Sequence, residues 1–143
     1  MEEKDLTSVL AIEKVSFSNP WRDTTFLGEI GNRSFSFPYV VVHKDLDKVI
    51  GYIIYWQIKK EVQISNIAIH PDFRRKGIAE AVLHQIINEL KKKGAEFIAL
   101  EVRPSNRAAL NLYRKLGFEI LGIKRDYYTH PNEHALVMGK YLG

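Results

Sequence analysis

The stretch EVQISNIAIHPDFRRKGIAEAVLHQIINELKKKGAEFIALEV, residues 61–102, decides the fold. It opens on alternating apolar residues, Val62 and Ile64, and closes on the nearly continuous apolar run FIALEV (97–102). Alternation marks a strand with one face buried; an unbroken apolar run marks a strand covered on both faces. Between them, apolar residues at 78, 79, 82, 83, 86, 87 and 90 recur at helical spacing until Gly94 stops the pattern. Strand, helix, strand in that order predicts a right-handed crossover, with the two strands pairing in parallel. The first strand also changes phase. Val62 and Ile64 set one alternation, Ile67 and Ile69 the other, and the slip falls at Ser65–Asn66. A β-bulge there would turn the following side chains over and leave backbone groups for a ligand. A strand buried on both faces would tolerate the same slip.

The flanks extend this unit. Residues 5–17 carry Leu6, Val9, Leu10 and Ile12 at helical spacing, NPW (19–21) breaks the chain, and DTTFLGEI (23–30) reads as a short second helix. FPYVVVH (37–43) and VIGYIIYWQI (49–58) are rich in β-branched and aromatic residues and read as strands joined by a hairpin turn at KDLDK (44–48). Downstream, Ser105 is expected to cap a helix running to about Leu116, closed by Gly117. FEILGIKRDYY (118–128) and ALVMGKYL (135–142) supply two final strands. The expected fold is α/β: one domain over residues 1–143, with helices flanking a mixed, largely antiparallel sheet that contains a central parallel pair.

Composition narrows the function. The chain has 143 residues, 45% hydrophobic and 27% charged, which suits one compact soluble domain. No apolar run approaches the ~20 residues that cross a bilayer, and the acidic start MEEKDLTSV is no signal peptide. Cysteine is absent, which excludes disulfides and thiolate metal sites and agrees with the reducing cytoplasm. The net charge of +4 is modest and partly local, at residues 74–76 and at Lys91, Lys92 and Lys93. The lysine run ends a helix, where the macrodipole favours cations. A nucleic-acid surface would need a wider basic stripe with exposed aromatics. HPNEH (130–134) fits a zinc-peptidase pattern, but that chemistry needs both histidines on one helix face. Pro131 and Asn132 read instead as a turn between the last two strands, so no metal site is expected.

Arg74, Arg75 and Lys76 stand directly before Gly77, at the mouth of the central helix. A helix N-terminus offers unpaired N–H groups and partial positive charge, and phosphates settle there. Glycine lets a ligand approach the backbone, and Pro71 and Asp72 make the turn from strand end to helix start. Neither the P-loop nor the G-x-G-x-x-G pattern is present. On spacing alone, a phosphate cradle and a surface loop of solvated cations are both open.

Further residues single out a family. Arg74-x-x-Gly77-x-Ala79 matches R/Q-x-x-G-x-G/A, the acetyl-CoA diphosphate loop of the GNAT family of N-acetyltransferases. NIAIHPDFRRKGIA (66–79), LEVRPSNRAALNLYRKLGF (100–118) and NPW together resemble the RimI-type ribosomal-protein alanine N-acetyltransferases of that family. The resemblance covers most of the chain. It implies a GNAT-like fold and acetyl-CoA as co-substrate, held by the loop and helix start Arg74, Arg75, Lys76, Gly77, Ile78, Ala79 and Glu80. It also implies that strand residues Ile67, Ala68 and Ile69 bind through their backbone, and that Asn106 binds the pantetheine arm. The acceptor it implies is a protein N-terminus, of a small-subunit ribosomal protein, with no nucleic acid or membrane partner.

Glu101 is the only charge inside FIALEV, and a carboxylate in a buried strand is costly unless paired or used. It could take a proton from an incoming ammonium, as the resemblance implies, or form a salt bridge to Arg103. Tyr113 lies seven residues after Asn106, two turns on along the same helix face. With a phenol pKa of ~10 it is protonated at neutral pH and can donate to a departing thiolate of pKa ~8.5. The resemblance makes it the general acid; alternatively its ring packs on the sheet. With no cysteine and no evident Ser–His pair, direct attack in a ternary complex is preferred over an acyl-enzyme. NPWRDTTF (19–26) and KRDYYTHPNEHA (124–135) match the segments flanking the family's peptide groove, which makes Trp21, Tyr127 and Tyr128 candidate acceptor contacts. His134 stands where the RimI type often has an acidic residue, so residue preference at the acceptor is open. Acetylation of a small-molecule amine or a lysine, and a non-catalytic CoA-binding module, are the competing functions.

Overall fold

A computed structural model describes residues 1–32 and 34–143. Two helices open the chain, α1 (Leu6–Ser16) and α2 (Asp23–Gly31). An antiparallel meander follows, β1 (Ser36–His43), β2 (Lys48–Ile58) and β3 (Glu61–Ile69). The crossover helix α3 (Ile78–Lys92) leads to β4 (Phe97–Val102), which pairs with β3 in parallel. Then come α4 (Arg107–Lys115), β5 (Glu119–Tyr128) and β6 (Glu133–Tyr141). The sheet order is β1-β2-β3-β4-β6-β5, mixed and mostly antiparallel. The expected class and parallel pair are present. β6 lies between β4 and β5, an order that local patterns do not carry.

The sheet separates two cores. On one face Tyr55, Val62, Ile64, Ile98 and Leu100 pack with Leu83, Ile87 and Leu90 of α3 and Leu110 of α4. On the other, Tyr52, Ile54 and Ala68 pack with Val9 and Ile12 of α1 and Phe26 of α2. Alternation along β2 sends Tyr52 and Ile54 one way and Ile53 and Tyr55 the other, so one strand feeds both cores.

One helix boundary differs from expectation. Asn106, not Ser105, caps α4, its side-chain oxygen accepting from the Ala109 N–H at 3.2 Å. The Ser105 hydroxyl is engaged elsewhere, donating to Glu133 at 2.6 Å. HPNEH forms the expected turn, but β6 starts at Glu133, two residues earlier than expected, and the His134 Nδ1 accepts from the Asp126 N–H at 2.9 Å.

Candidate active site

The site begins where two strands part. β3 and β4 pair only from Glu61–Phe97 to Ile64–Leu100. β3 then continues to Ile69 against β2, and β4 to Val102 against β6. A bulge stands at the parting, one of the two readings that the phase slip left open. Register passes from Tyr55–Ile64 to Ile54–Asn66, leaving Ser65 as the extra residue. The Ser65 hydroxyl donates to the Ile54 carbonyl at 3.1 Å and pins it. Past the bulge the faces exchange: Val62, Ile64 and Ile67 all reach the α3 side, while Asn66 and Ala68 face α1. Ile67, Ala68 and Ile69 thus have β2 on one side and, among the described residues, no strand on the other. Such an edge can accept an extended ligand as an added strand.

The expected cradle lies at the same end of the sheet. Gly77 caps α3 with φ +76°, a left-handed conformation, and a Cβ placed there would meet nothing within 4 Å. The backbone therefore fronts open space, and the first N–H groups of α3 at Ile78, Ala79 and Glu80 have no helical acceptors. Arg75 and Lys76 are exposed. Arg74 has a different part: its Nε donates to the Ile69 carbonyl and its Nη2 to the Ser16 hydroxyl, both at 2.8 Å, tying the loop to β3 and α1. The Glu80 side chain turns away to Lys115 of α4 at 2.7 Å, and that pairing holds its carboxyl below the usual range. Leftover backbone donors, two exposed cations and open space fit a diphosphate.

Glu101 is the first β4 residue past the last β3–β4 pair. Its cation is not Arg103. Lys124 of β5 reaches its Oε1 at 2.5 Å, across the intervening β6. Arg103 lies one residue beyond the strand end, so its side chain leaves the β4 alternation and meets Glu133 at 3.3 Å. Tyr127 lies beside Glu101, and interaction with that carboxylate foremost raises the Tyr127 phenol to about 12. Tyr128 is raised to about 12 by burial first, then by the nearby Tyr127, Glu101 and Tyr113. Tyr113 is 7% exposed, and burial lifts its phenol to about 12. A carboxylate able to accept a proton and a buried phenol able to donate one thus both lie near Tyr128.

Of the acceptor candidates, Tyr127 and Tyr128 border Glu101, their rings edge to face at 4.9 Å. Trp21 is half-buried, its ring 5.3 Å from Phe26. Its backbone N–H donates to Glu13 at 2.8 Å. Sequence reasoning missed Glu13. It is 1% exposed and accepts from the Tyr52 hydroxyl and, at 2.8 Å, from the Asn66 amide. It joins the α1–α2 segment to the first residue past the bulge. The signal was available: Glu13 follows Val9 and Ile12 on the apolar face of α1. A depression of about 710 Å³ lined by Ile58, Lys60, Phe97 and Tyr141 lies at the opposite end of the sheet, away from this chemistry.

A mixed sheet that opens beside a carboxylate suits an acyl-transferring enzyme, and comparison with known proteins gives the family. Residues 6–118 match the model of the acetyltransferase (GNAT) family, and the chain belongs to that family. It is 36% identical to the ribosomal protein bS18-alanine N-acetyltransferase of Escherichia coli K12, over 96% of this chain and 92% of that protein. The crystal structure of the ribosomal-protein-S18-alanine N-acetyltransferase from Escherichia coli superposes with a TM-score of 0.90 at 34% identity, covering 100% of this chain and 91% of the other. Ard1 from Thermoplasma volcanium superposes with a TM-score of 0.85 at 25% identity, covering 99% and 93%.

Proposed function

We propose that residues 1–143 act as one N-acetyltransferase domain that moves acetyl from acetyl-CoA to the N-terminal α-amine of a protein. The alanine N-terminus of ribosomal protein bS18 is the substrate named for its relatives. The observation that carries the reading is the position of Glu101 on the first β4 residue beyond the β3–β4 pairing, where the sheet opens. Acetyl-CoA supplies the acetyl group as a thioester. The N–H groups of Ile78, Ala79 and Glu80, with Arg75 and Lys76, hold its diphosphate, and Arg74 holds the loop. The open backbone of Ile67, Ala68 and Ile69 takes the pantetheine arm and polarises the carbonyl. Asn106 spends its side-chain oxygen on the cap, so its amide nitrogen is the group left to donate to the arm.

Glu101 takes the proton from the attacking amine and Tyr113 gives one to the departing thiolate. One N–C bond forms, one C–S bond breaks, and the products are an N-acetylated peptide and free CoA. An α-amine has a pKa of ~7.7–8.0 and is about a tenth neutral at pH 7, against ~10.4 for lysine. A carboxylate already paired with a lysine suits the weaker task. Trp21, Tyr127 and Tyr128 line the acceptor side. The setting is the cytoplasm; no helix among the described residues is long and apolar enough to cross a membrane.

CoA release over peptides of varied first residue, with free lysine and spermidine alongside, tests this. Release is expected with peptides that begin with Ala. Glu101→Gln should lower kcat by about 10²-fold or more while acetyl-CoA still binds. Turnover of spermidine or lysine and none of the peptides would overturn the acceptor. Equal loss of kcat and acetyl-CoA affinity in Glu101→Gln would overturn the role of the carboxylate.

A further inference from the structure

Arg103 belongs to the L-E-V-R-x-S-N segment, yet the acetyl transfer gives it no task. Its guanidinium is nevertheless among the most engaged groups beside the site. Nη1 donates to the Pro131 carbonyl at 2.8 Å and to Glu133 at 3.3 Å. Nη2 donates to the Thr129 carbonyl at 2.8 Å and to the Ser18 hydroxyl at 3.3 Å. Its central carbon lies 4.3 Å from the centre of the Tyr128 ring. Asn19 reaches the same Thr129, its Nδ2 donating to the carbonyl at 3.0 Å and to the hydroxyl at 2.6 Å. Glu133 is held in turn by the Ser105 N–H at 3.1 Å and the Ser105 hydroxyl at 2.6 Å.

These bonds join two chain segments more than a hundred residues apart, at 18–19 and 129–133, through a residue two positions after Glu101. No strand pairing links them among the described residues. We propose that Arg103 is a positioning residue: with Asn19 it clamps the α1–α2 segment to the β5–β6 turn and so fixes the rim of the acceptor groove over Glu101. The inference rests on the proposed function, in which these two segments flank the acceptor peptide. A planar fork can serve two carbonyls and a hydroxyl at once and stack on a ring; an ammonium cannot. A rim fixed beforehand spares the acceptor the cost of ordering it and keeps the amine aimed at Glu101.

The test uses the full chain and three variants. In Arg103→Lys the charge stays and the fork is lost. The acceptor-peptide KM should rise on the order of 10-fold, with acetyl-CoA affinity within about twofold of wild type. Hydrogen exchange should quicken together at residues 17–22 and 129–132, and Asn19→Ala should quicken the same two segments. In Arg103→Ala, added guanidinium should restore part of the lost peptide KM, which repair of a merely structural defect would not do. The clamp is overturned if exchange in either segment is unchanged in both Arg103→Lys and Asn19→Ala, or if acetyl-CoA affinity falls as far as peptide affinity. A wild-type protein inactive on every peptide would sink the proposed function instead, and the exchange result would still decide the clamp.

Discussion

At the residue scale the two groups proposed to react differ in how their surroundings hold them. Glu101 pairs with Lys124 at 2.5 Å beside Tyr127, so its carboxylate is aimed but still borders solvent. Tyr113 packs against the Phe118 ring, and burial is the sole cause that lifts its phenol from 10 to about 12. That shift links to stability with a definite sign. The folded state keeps the proton more tightly than the unfolded chain, so the contribution is complete below pH 10 and lost as pH rises through about 12. Two pKa units correspond to about 3 kcal/mol. Tyr127 and Tyr128 share this window, so the difference between proteins isolates Tyr113. Tyr113→Phe should lose about 2 kcal/mol less than wild type between pH 10 and pH 12 in denaturant titrations, and its kcat should fall by about 10²-fold at neutral pH. An equal alkaline loss in both proteins would show that Tyr113 is not the buried phenol. Both residues were legible as candidates, a lone acid in an apolar strand and a tyrosine at helical spacing, while their roles came from the family resemblance. The partner of Glu101 was not. Arg103 is near in sequence but past the strand end, whereas Lys124 arrives from β5 across β6, and only the sheet order brings it there.

At the scale of elements, the bulge and the start of α3 do the positioning. The bulge could be read in advance because one extra residue converts the period-2 alternation into a visible slip between Ile64 and Ile67. The α4 cap could not. Ser105 and Asn106 are both good capping residues, and the choice was made by Glu133, which draws the Ser105 hydroxyl away. Gly77 has two properties that separate by mutation, its φ of +76° and the open space before it. A β-branched residue suffers from the first, and any side chain intrudes on the second. Gly77→Val should lose about 1–2 kcal/mol of stability, whereas Gly77→Asn, tolerated in the left-handed region, should lose less. Both should weaken acetyl-CoA binding by about 10-fold or more, since close backbone approach is lost in either. Unfolding curves and calorimetric titration read the two effects separately. Unchanged affinity in the Asn variant would move the diphosphate away from this loop.

At the scale of the whole molecule, one sheet carries two cores and opens at one end. Within the sheet, the half built from β1–β3 meets the half built from β4–β6 through four parallel residue pairs, Glu61–Phe97 to Ile64–Leu100. Beyond Ile64 and Leu100 no strand pairing among the described residues joins them, and the crossover helix α3 and the Arg103–Asn19 clamp make the link outside the sheet. Glu13 secures the first half internally, tying α1 and the Trp21 segment to β2 and β3. A ligand seated along Ile67–Ile69 and reaching Glu101 touches both halves, so its binding energy should appear as global stability rather than as order in one loop. At a hundredfold excess over Kd, acetyl-CoA should add about 2.7 kcal/mol to the folded state. For a chain of this length that corresponds to a Tm rise of roughly 8–12 °C. Hydrogen exchange should slow in residues 65–69 and in β4 alike, with Glu101→Gln behaving as wild type and Gly77→Val showing little of either effect. Protection confined to the loop at residues 74–80, with β4 unchanged, would mean that the diphosphate binds without the arm entering the opening, and that the thioester never reaches Glu101.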